Sequence, residues 1–424
     1  MNARIFQSPR LTFIRSYLIG SLLLLSIHAN ATTELLLQLD SSWRYDSNPL
    51  RLTENVDIRT ALGTDRKSDS VIATDVRFAI VHPLDSPETQ LVFTGQLGNQ
   101  GYRQLTQLDN TEYAYKGSLE WRSGDLWKGR LLRSQEQQLY DYLNGTLTIR
   151  EMVHRTTDTA EVALRVTPDL EFPFSIQNQQ KRYDTPTNRM FDSRRRSLDG
   201  GVQFRNEAGS NISVGLRSAE VNFPERTVAH IASLDSGYGD NEIYLASDWR
   251  YSVFTRLSGR IGSLQRTYAT LESKNFSTLT TELRVQHDYS PKTRLTIDFW
   301  SRPDEVADST ILYAMVSGLR VGTTWLASDK TRVNLQASKE LQRYQYVTTI
   351  PGQSNPELHR LRIGGSGTYA VSRDIQMYID GFRDRLDQGT FGANIGQNML
   401  RVGLEYTFEN VKGLAQRTAL GERR

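Results

Sequence analysis

The sequence contains no cysteine, and only 6 of its 424 residues are histidine. Without cysteine, a disulfide framework, a thiolate metal site and a cysteine nucleophile are all excluded. The histidines show no His-x-x-x-His spacing, and no Gly-x-Ser-x-Gly, Walker or dinucleotide-binding motif is present. The sequence therefore predicts a protein that is not an enzyme, with no catalytic residue, no metal and no cofactor.

Long hydrophobic runs are also lacking beyond the N-terminal segment, which excludes an α-helical membrane protein but not a transmembrane β-barrel. The segment itself has a start with three arginines and no acid, an apolar stretch over residues 18–27, and the small-residue sequence Ala-Asn-Ala ending at Ala31. This order is typical of a secretory signal peptide. We expect residues 1–31 to be removed by cleavage near Ala31.

A marked excess of charge of either sign is lacking too. The formal net charge is +3, and removing the signal peptide with its three arginines leaves zero. No basic field that would attract nucleic acid remains, so we expect no nucleic-acid partner. No linker or low-complexity segment divides the chain, and residues 32–408 are predicted to form one domain.

What the sequence does contain is a strict alternation of apolar and charged residues. It is clearest around the turn at residues 123–125, where Tyr113 and Trp121 have one parity and Lys116 and Arg122 have the other. A period of two places the two sets on opposite faces of a β-strand. One face of this hairpin is therefore apolar and the other is ionised.

The same alternation recurs along the whole chain. It predicts about 18 strands of roughly ten residues, with roughly 16 also possible. Short turns rich in Gly, Pro, Asp, Asn and Ser alternate with long polar connections, which is typical of an outer-membrane barrel. The predicted fold is all-β: a transmembrane antiparallel up-and-down β-barrel with short periplasmic turns and long external loops. The predicted location is the outer membrane of a Gram-negative bacterium.

Aromatic side chains lie near many of the predicted strand ends. Each could pack in an ordinary core, but their clustering favours a membrane girdle, because amphipathic rings prefer the headgroup level of a bilayer. The predicted girdle residues are Trp43, Trp121, Trp127, Trp249, Tyr251, Trp325, Tyr406 and Phe408.

If the apolar face meets lipid, the charged face lines the interior. One interpretation is a wall of cross-strand ion pairs that keeps a wide barrel rigid and wet. The other is a polar path for a charged or hydroxyl-rich polymer, for which arginine is well suited. For any single residue the sequence favours the ion-pair wall. The predicted pore-lining residues are Arg44, Arg77, Glu112, Lys116, Glu120, Arg122, Lys128, Arg130, Arg165, Arg205, Arg217, Arg250, Arg256, Arg260, Arg284, Arg320, Arg362, Arg401 and Glu405.

Three phrases of the sequence resemble a known group of barrels. Residues 45–52 read Tyr-Asp-Ser-Asn-Pro-Leu-Arg-Leu, residues 321–333 read Val-Gly-Thr-Thr-Trp-Leu-Ala-Ser-Asp-Lys-Thr-Arg-Val, and residues 401–408 read Arg-Val-Gly-Leu-Glu-Tyr-Thr-Phe. They are similar to the opening, an internal hairpin and the closing strand of EpsL-type outer-membrane barrels. These barrels are associated with bacterial exopolysaccharide systems and belong to the broader β-barrel porin 2 group.

The resemblance implies an outer-membrane pore that exports an exopolysaccharide without catalysis. The implied partners are outer-membrane lipid, the exopolysaccharide and periplasmic polysaccharide-export proteins. The alternatives are a general or oligosaccharide-specific diffusion porin, an outer-membrane hydrolase, and a structural barrel with a closed lumen.

The end of the chain departs from the usual pattern of outer-membrane barrels, which end at the aromatic residue of the closing strand. Here residues 409–424 follow Phe408 and include Lys412, Arg417, Arg423 and Arg424. We expect a periplasmic C-terminal tail that is either dispensable and disordered or in contact with a partner.

Overall fold

The structure, a computed structural model, describes residues 33–86, 88–140, 150–347, 357–387, 394–414 and 418. The predicted signal peptide lies outside these residues, as do Arg417, Arg423 and Arg424 of the predicted tail. Within the described ranges, no helix is long and apolar enough to cross a membrane.

The described residues form 18 β-strands joined by turns, loops and short helices. Numbered β1 to β18 in chain order, the strands are Glu34–Asp46, Asp69–Ser86, Thr89–Tyr102, Asn110–Ser123, Trp127–Leu139, Met152–Thr167, Leu170–Tyr183, Ser193–Arg205, Asn211–Asn222, Gly237–Arg250, Thr255–Tyr268, Phe276–Ser290, Thr293–Asp304, Ile311–Leu326, Thr331–Tyr346, Glu357–Ala370, Ile375–Asp387 and Ile395–Glu409. The helices are α1 (Ile58–Leu62), α2 (Val228–Leu234) and the 3₁₀ helices Thr106–Leu108, Pro186–Phe191 and Glu272–Lys274.

The sheet closes on itself. Each strand pairs antiparallel with its neighbours in the chain, and β1 pairs with both β2 and β18. Trp43, for example, lies opposite Ile72 on one side and Val402 on the other. A closed sheet has no unpaired edge strand. The predicted up-and-down β-barrel is therefore confirmed, with 18 strands rather than 16.

The two ends of the barrel differ in the length of their connections. At one end, residues 168–169 join β6 to β7 and residues 291–292 join β12 to β13. At the other end, residues 47–68 join β1 to β2 and residues 223–236 join β9 to β10. We call these the short-turn end and the long-loop end.

The apolar parity faces outward and the charged parity faces inward. Leu131, Leu216 and Leu283, all of the apolar parity, are 48%, 65% and 41% exposed although each lies within a strand. On the other parity, Arg44 of β1 donates a hydrogen bond of 2.8 Å to Gln100 of β3, across the intervening strand. Side chains of non-adjacent strands converge only on the concave face of a curved sheet, so the charged parity lies inside the barrel.

The outward apolar band covers the part of the wall nearest the short turns. Farther along the strands the outward residues become polar: on β5 Leu131 is followed on the same face by Arg133, and on β7 Ile176 is followed by Asn178. The strands therefore extend past the apolar band at the long-loop end.

Three of the long connections share one hydrogen-bond pattern. Tyr102, Tyr183 and Tyr268 each end a strand that runs to the long-loop end, and each is buried. The backbone N–H of each tyrosine donates to a side-chain oxygen that follows a 3₁₀ helix. The acceptors are Asp109 at 2.7 Å, Asp192 at 2.8 Å and Asn275 at 2.7 Å.

A buried acid from the preceding long connection holds each of these three loops from the side. These acids lie at or just before the start of β2, β6 and β10 and accept hydrogen bonds from backbone N–H groups. The pairs are Asp69 with Leu105 (2.7 Å), Glu151 with Thr185 (3.0 Å) and Asp235 with Thr270 (2.7 Å). Hydrogen bonds to charged groups are the stronger ones, so the loops are fixed to the rim.

The substitution Asp235→Asn tests this arrangement. It keeps the size of the side chain at a backbone φ of 65° but removes the charge and one acceptor oxygen. The N–H groups of Thr270 and Leu271 both donate to one oxygen of Asp235, and such bonds contribute about 1.5–3 kcal/mol each. We expect residues 269–275 to exchange amide hydrogens at least tenfold faster in mass-spectrometric hydrogen exchange. Unchanged exchange there, with residues 103–109 as the internal control, would contradict the arrangement.

The same contact predicts a dependence on pH. Burial alone would raise the pKa of Asp235, but hydrogen bonds from Leu271, Thr270 and Ser236 bring the pKa below its ordinary value. A carboxylate with a lowered pKa stabilises the folded loop above its unfolded pKa of about 3.9, and this stabilisation is lost as the pH falls through the lower folded value. We expect the pepsin cleavage rate within residues 269–275 to be much lower for the wild type than for Asp235→Asn at pH 4, and the difference to shrink as the pH is lowered further. Equal rates for the two proteins at pH 4 would argue against the carboxylate.

Candidate functional site

The candidate site is the charged inner wall of the barrel. The pairing register places all of the predicted pore-lining residues, from Arg44 to Glu405, on the inward parity of their strands. The structure therefore brings them onto one surface. That they line an open pore stays a prediction.

Many of these cations are paired with acids on neighbouring strands, as the ion-pair interpretation expects. The pairs at less than 3 Å include Arg130 with Glu161 (2.8 Å), Arg284 with Asp298 (2.5 Å), Arg320 with Asp298 (2.9 Å) and Arg401 with Asp380 (2.8 Å). Arg260 bonds to Glu242. Partly exposed pairs of this kind contribute about 0–1 kcal/mol each, so they shape a polar surface more than they stabilise the barrel.

Four of the predicted pore-lining cations have no ion pair with a residue in the described part of the chain. These are Arg44 on β1, Lys116 on β4, Arg217 on β9 and Arg250 on β10. Arg362 lies over the ring of Phe382, with its guanidinium carbon 3.6 Å from the ring centre. The inner wall thus combines a paired network with cations that remain available to a solute.

At the long-loop end, apolar residues and loop segments cover the inner face of the wall. Five hydrophobic clusters lie among the described residues, and four of them are at this end. The largest joins two loops to the tops of β2 and β3. Its buried members are Leu50, Leu52, Val71, Tyr102, Leu105 and Leu108. The long loops therefore fold inward at the rim instead of standing away from it.

The first of these loops contains the phrase at residues 45–52. The amide nitrogen of Asn48 donates to the backbone oxygens of Leu52 (2.8 Å) and Gly396 (3.2 Å), and the Asn48 side-chain oxygen accepts from Leu52 N–H (2.9 Å). Arg51 has a backbone φ of 50°, and its side chain lies 3.8 Å from the buried carboxylate of Asp384. These residues fix the loop to the seam where β1 meets β18.

One segment reaches from the wall across to strands on another part of the ring. Glu305, directly after β13, accepts a hydrogen bond of 2.7 Å from the Tyr238 hydroxyl of β10 and lies 3.3 Å from Lys181 Nζ of β7. Ala307 packs against the cluster around Tyr183 and Phe191. The connection between β13 and β14 thus passes over part of the inner face near the long-loop end.

Glu305 carries a negative charge. Burial alone would raise the pKa of this carboxyl, but Lys181 and the Tyr238 hydroxyl hold the pKa below its ordinary range. Glu305 is therefore a carboxylate at neutral pH, and the bridge from β7 through Glu305 to β10 is a charged one.

Below this bridge lies a cavity of about 380 Å³. Its lining includes cations, acids, amides and aromatic rings: Gln138, Tyr140, Arg155, Gln179, Lys181, Tyr183, Arg195, Tyr238, Arg266, Asp304 and Glu305. Arg266 forms a buried bidentate pair with Asp240 at 2.7 and 2.9 Å, and Arg195 Nε is buried without a hydrogen-bond partner. Such a lining suits a hydroxyl-rich or carboxylate-bearing solute.

The sequence prediction did not include Lys181, Arg195, Arg266 or Glu305 in the site. Three of them are inward residues beyond the apolar band, where strand and loop are hard to separate by periodicity. Glu305 follows a strand and has no alternation of its own. A signal that was available is the inward parity of Lys181 and Arg195 on strands already recognised.

At the short-turn end, the start of the predicted tail also lies on the inner face. Leu414 is fully buried against Leu36, Ala79 and Val81. The carboxylate of Glu409 accepts hydrogen bonds from Gly413 N–H (3.0 Å) and Leu414 N–H (3.1 Å). The chain therefore turns back into the barrel directly after β18. The remaining tail prediction concerns residues outside the described part, apart from Thr418.

The predicted girdle residues all belong to the outward parity or to a turn. Trp127, Trp325 and Phe408 are 41%, 50% and 49% exposed beside the short turns or the strand end there. Trp43 lies toward the long-loop end of β1 instead. The aromatic residues therefore flank the apolar band mainly on one side.

Comparisons with known proteins give no family. No protein-family model matches the sequence, and no curated protein matches it significantly. Among solved structures, the chain is similar to OccAB3 of Acinetobacter baumannii, with 9% identity over 90% of this chain and 100% of that one and a TM-score of 0.49. It is also similar to the siderophore receptor PirA of Pseudomonas aeruginosa, with 9% identity over 88% and 80% of the two chains and a TM-score of 0.43. The barrel fold is established by the strand pairing of the chain itself.

The bridge at Glu305 can be tested because the chain has no cysteine. A single cysteine at Ala307 should react slowly with a polar thiol reagent. Glu305→Gln in that background removes the charge that pairs with Lys181, and we expect labelling to accelerate at least threefold. Asp374→Asn, at an exposed turn of the short-turn end, is the matched control. Equal labelling rates with and without Glu305→Gln would show that the bridge does not hold this segment.

Leu414→Ala tests the contact at the short-turn end. Removal of a buried leucine side chain costs about 2–5 kcal/mol, which is enough to release a short terminal segment. We expect trypsin to cleave after the exposed Lys412 much faster in the variant than in the wild type. Val411→Ala changes an exposed neighbour and should leave the rate unchanged. Rapid cleavage of the wild-type chain would contradict the docked position of Leu414.

Proposed function

We propose that this protein is an outer-membrane pore for the export of an exopolysaccharide, acting with periplasmic export proteins and without catalysis. Three features support the proposal: the outward apolar band, the ionised inner wall, and the resemblance of residues 45–52, 321–333 and 401–408 to EpsL-type barrels.

The band supports a location in a bilayer. Large apolar side chains such as Phe174, Leu245 and Ile363 stand exposed on strand after strand around the barrel. Soluble monomers rarely expose contiguous apolar patches larger than a few hundred Å². Paired strands can lie in hydrocarbon, because the pairing satisfies the hydrogen-bonding groups of their backbones.

The inner wall supports an aqueous interior. Barrels of about 16–18 strands are wide enough to leave a channel. Ions such as Lys116, Arg217 and Glu161 on the inner face need water or a polar solute around them, because isolated charges cannot be buried dry. The main support for a transport function is this combination of an apolar outer band with an ionised inner wall in a closed barrel.

Arginine, amide and tyrosine side chains also suit the chemistry of polysaccharides. Around the 380 Å³ cavity, Arg195 and Gln179 offer donors to hydroxyl and carboxylate oxygens, and Tyr183 and Tyr238 offer ring faces. This cavity equally favours the second candidate, an oligosaccharide-specific diffusion porin, because its volume fits a small sugar better than a polymer in transit.

Single-channel recording in planar bilayers tests the proposal. The probes are a polyuronate and an uncharged dextran of equal mass, each added to the short-turn side. We expect large conductance steps that the polymer blocks, and Glu305→Ala should enlarge the steps by removing the bridge to β7 and β10. Steps that are blocked by short oligosaccharides but not by polymers would favour the porin. An absence of steps from correctly folded, inserted barrel would contradict a pore of either kind.

A further inference from the structure

The outer wall carries a groove that the proposed transport function does not use. It has a volume of about 800 Å³ and crosses β2 to β7. The strand register shows its course, because one row of paired outward residues runs along it. The row consists of Ile80, Phe93, Gly117, Arg133, Asp158 and Asn178.

The floor of the groove is formed by small residues. Gly117 of β4 has no side chain, and Ala160 of β6 has only a methyl group, whereas Phe93, Leu131 and Ile176 stand up around them. The shape is that of an apolar channel lying on the surface, and an extended hydrocarbon chain fits it. A side chain added at Gly117 would meet Phe93 Cδ2 at 3.7 Å, which is an ordinary contact.

The groove runs obliquely with respect to the membrane, because strands of such barrels tilt by about 35–45°. Ile80 and Phe93 lie in the apolar band, and at Arg133 and Asn178 the same row has left the band. The groove therefore passes from the hydrocarbon level to the level of the headgroups on the long-loop side.

Cations surround the polar end of the groove. Arg133 lies 3.4 Å from Asp158, and Arg196 is the register partner of Asn178 on the next strand. Arg194 lies on the same outward face two residues beyond Arg196, and Arg182 lies there four residues beyond Asn178.

Arg182, Arg194 and Arg196 are exposed and have no ion pair with a residue in the described ranges. Four acids lie nearby, and each has another partner. Asp158 pairs with Arg133 and Asp184 with His154, Asp192 accepts a hydrogen bond from the backbone N–H of Tyr183, and Glu220 accepts one from Asn222. Within the described ranges the three guanidinium groups are thus free to bind an anion, although the acids balance the charge of the cluster.

We propose that this groove binds one phosphorylated lipid of the leaflet on the long-loop side. An acyl chain lies on the floor formed by Gly117 and Ala160, and the phosphate is held by Arg182, Arg194 and Arg196. Guanidinium groups bind phosphate through two parallel hydrogen bonds, and attraction to anionic headgroups acts at this depth of a membrane. The inference rests on the proposed membrane location, but not on what passes through the barrel.

Binding is measured by native mass spectrometry of the purified full-length protein in a neutral detergent. The probes are lipid A with its two phosphates and the same lipid after dephosphorylation. We expect the wild type to retain the phosphorylated probe at least tenfold more tightly. Because the readout requires neither a bilayer nor conductance, failure of lipid binding is distinguishable from failure of the transport proposal.

Two variants separate the parts of the site. The triple change Arg182→Gln, Arg194→Gln and Arg196→Gln should weaken binding of the phosphorylated probe at least tenfold. Its matched control is Arg383→Gln with Arg385→Gln, which removes exposed outward cations of β17 away from the groove, and should change nothing.

Gly117→Leu fills the floor while leaving every cation in place. It should weaken both forms of the lipid, and inorganic phosphate should not displace the bound probe. Equal lipid binding by the wild type and the triple variant would overturn the proposal. It would also be overturned if Gly117→Leu had no effect and inorganic phosphate displaced the probe, since the cluster would then be a site for free anions.

Discussion

The pairing of β1 with β18 is the constraint on which the rest of this structure depends. It turns a long antiparallel sheet into a surface with an inside and an outside, and it leaves no strand edge unpaired. Only then does an alternation of period two have two different surroundings along the whole chain. The loop at residues 45–52 lies at this seam, where Asn48 bonds to Gly396 and Arg51 approaches Asp384. The part of the sequence that looks most distinctive is thus the part that fixes the closure.

Closure of the barrel also explains why charged side chains meet on the inner face and why the long loops pack together at one end. Side chains on the concave face converge, so polar side chains of strands two apart can meet, as where the Tyr378 hydroxyl of β17 donates a hydrogen bond to Asp40 of β1. At the long-loop end the same convergence lets the loops pack on one another. The buried acids Asp69 and Asp235 each hold the backbone of the next long loop, and Glu305 connects three parts of the ring. The lumen is therefore shaped at its rim by loops and along its length by ions.

Much of the fold could be predicted from the sequence, because a strand with one apolar and one ionised face is visible in local periodicity. In β5, for example, the apolar Trp127 and the charged Lys128 are neighbours in the sequence and therefore indicate opposite faces of the strand. The contacts that shape the ends could not be predicted in this way. Leu414 reaches Leu36, and Glu305 reaches Lys181, through the closed ring, and no local period marks such pairs. Tyr102, Tyr183 and Tyr268 are separated by 81 and 85 residues in the sequence. This spacing alone does not reveal the loop structure that the three tyrosines share, because that structure depends on hydrogen bonds to residues farther along the chain.

The central claim is that one parity of every strand faces lipid and the other faces water inside the barrel. A cysteine scan along β12 tests it most directly, because the chain has no cysteine of its own. Single cysteines at residues 279–285 would be labelled with a fluorophore in lipid vesicles. We expect labels at Leu279, Thr281, Leu283 and Val285 to be quenched by a lipid-bound quencher, and labels at the intervening positions to be quenched by a polar one. A smooth gradient along the strand, or the opposite parity, would contradict it.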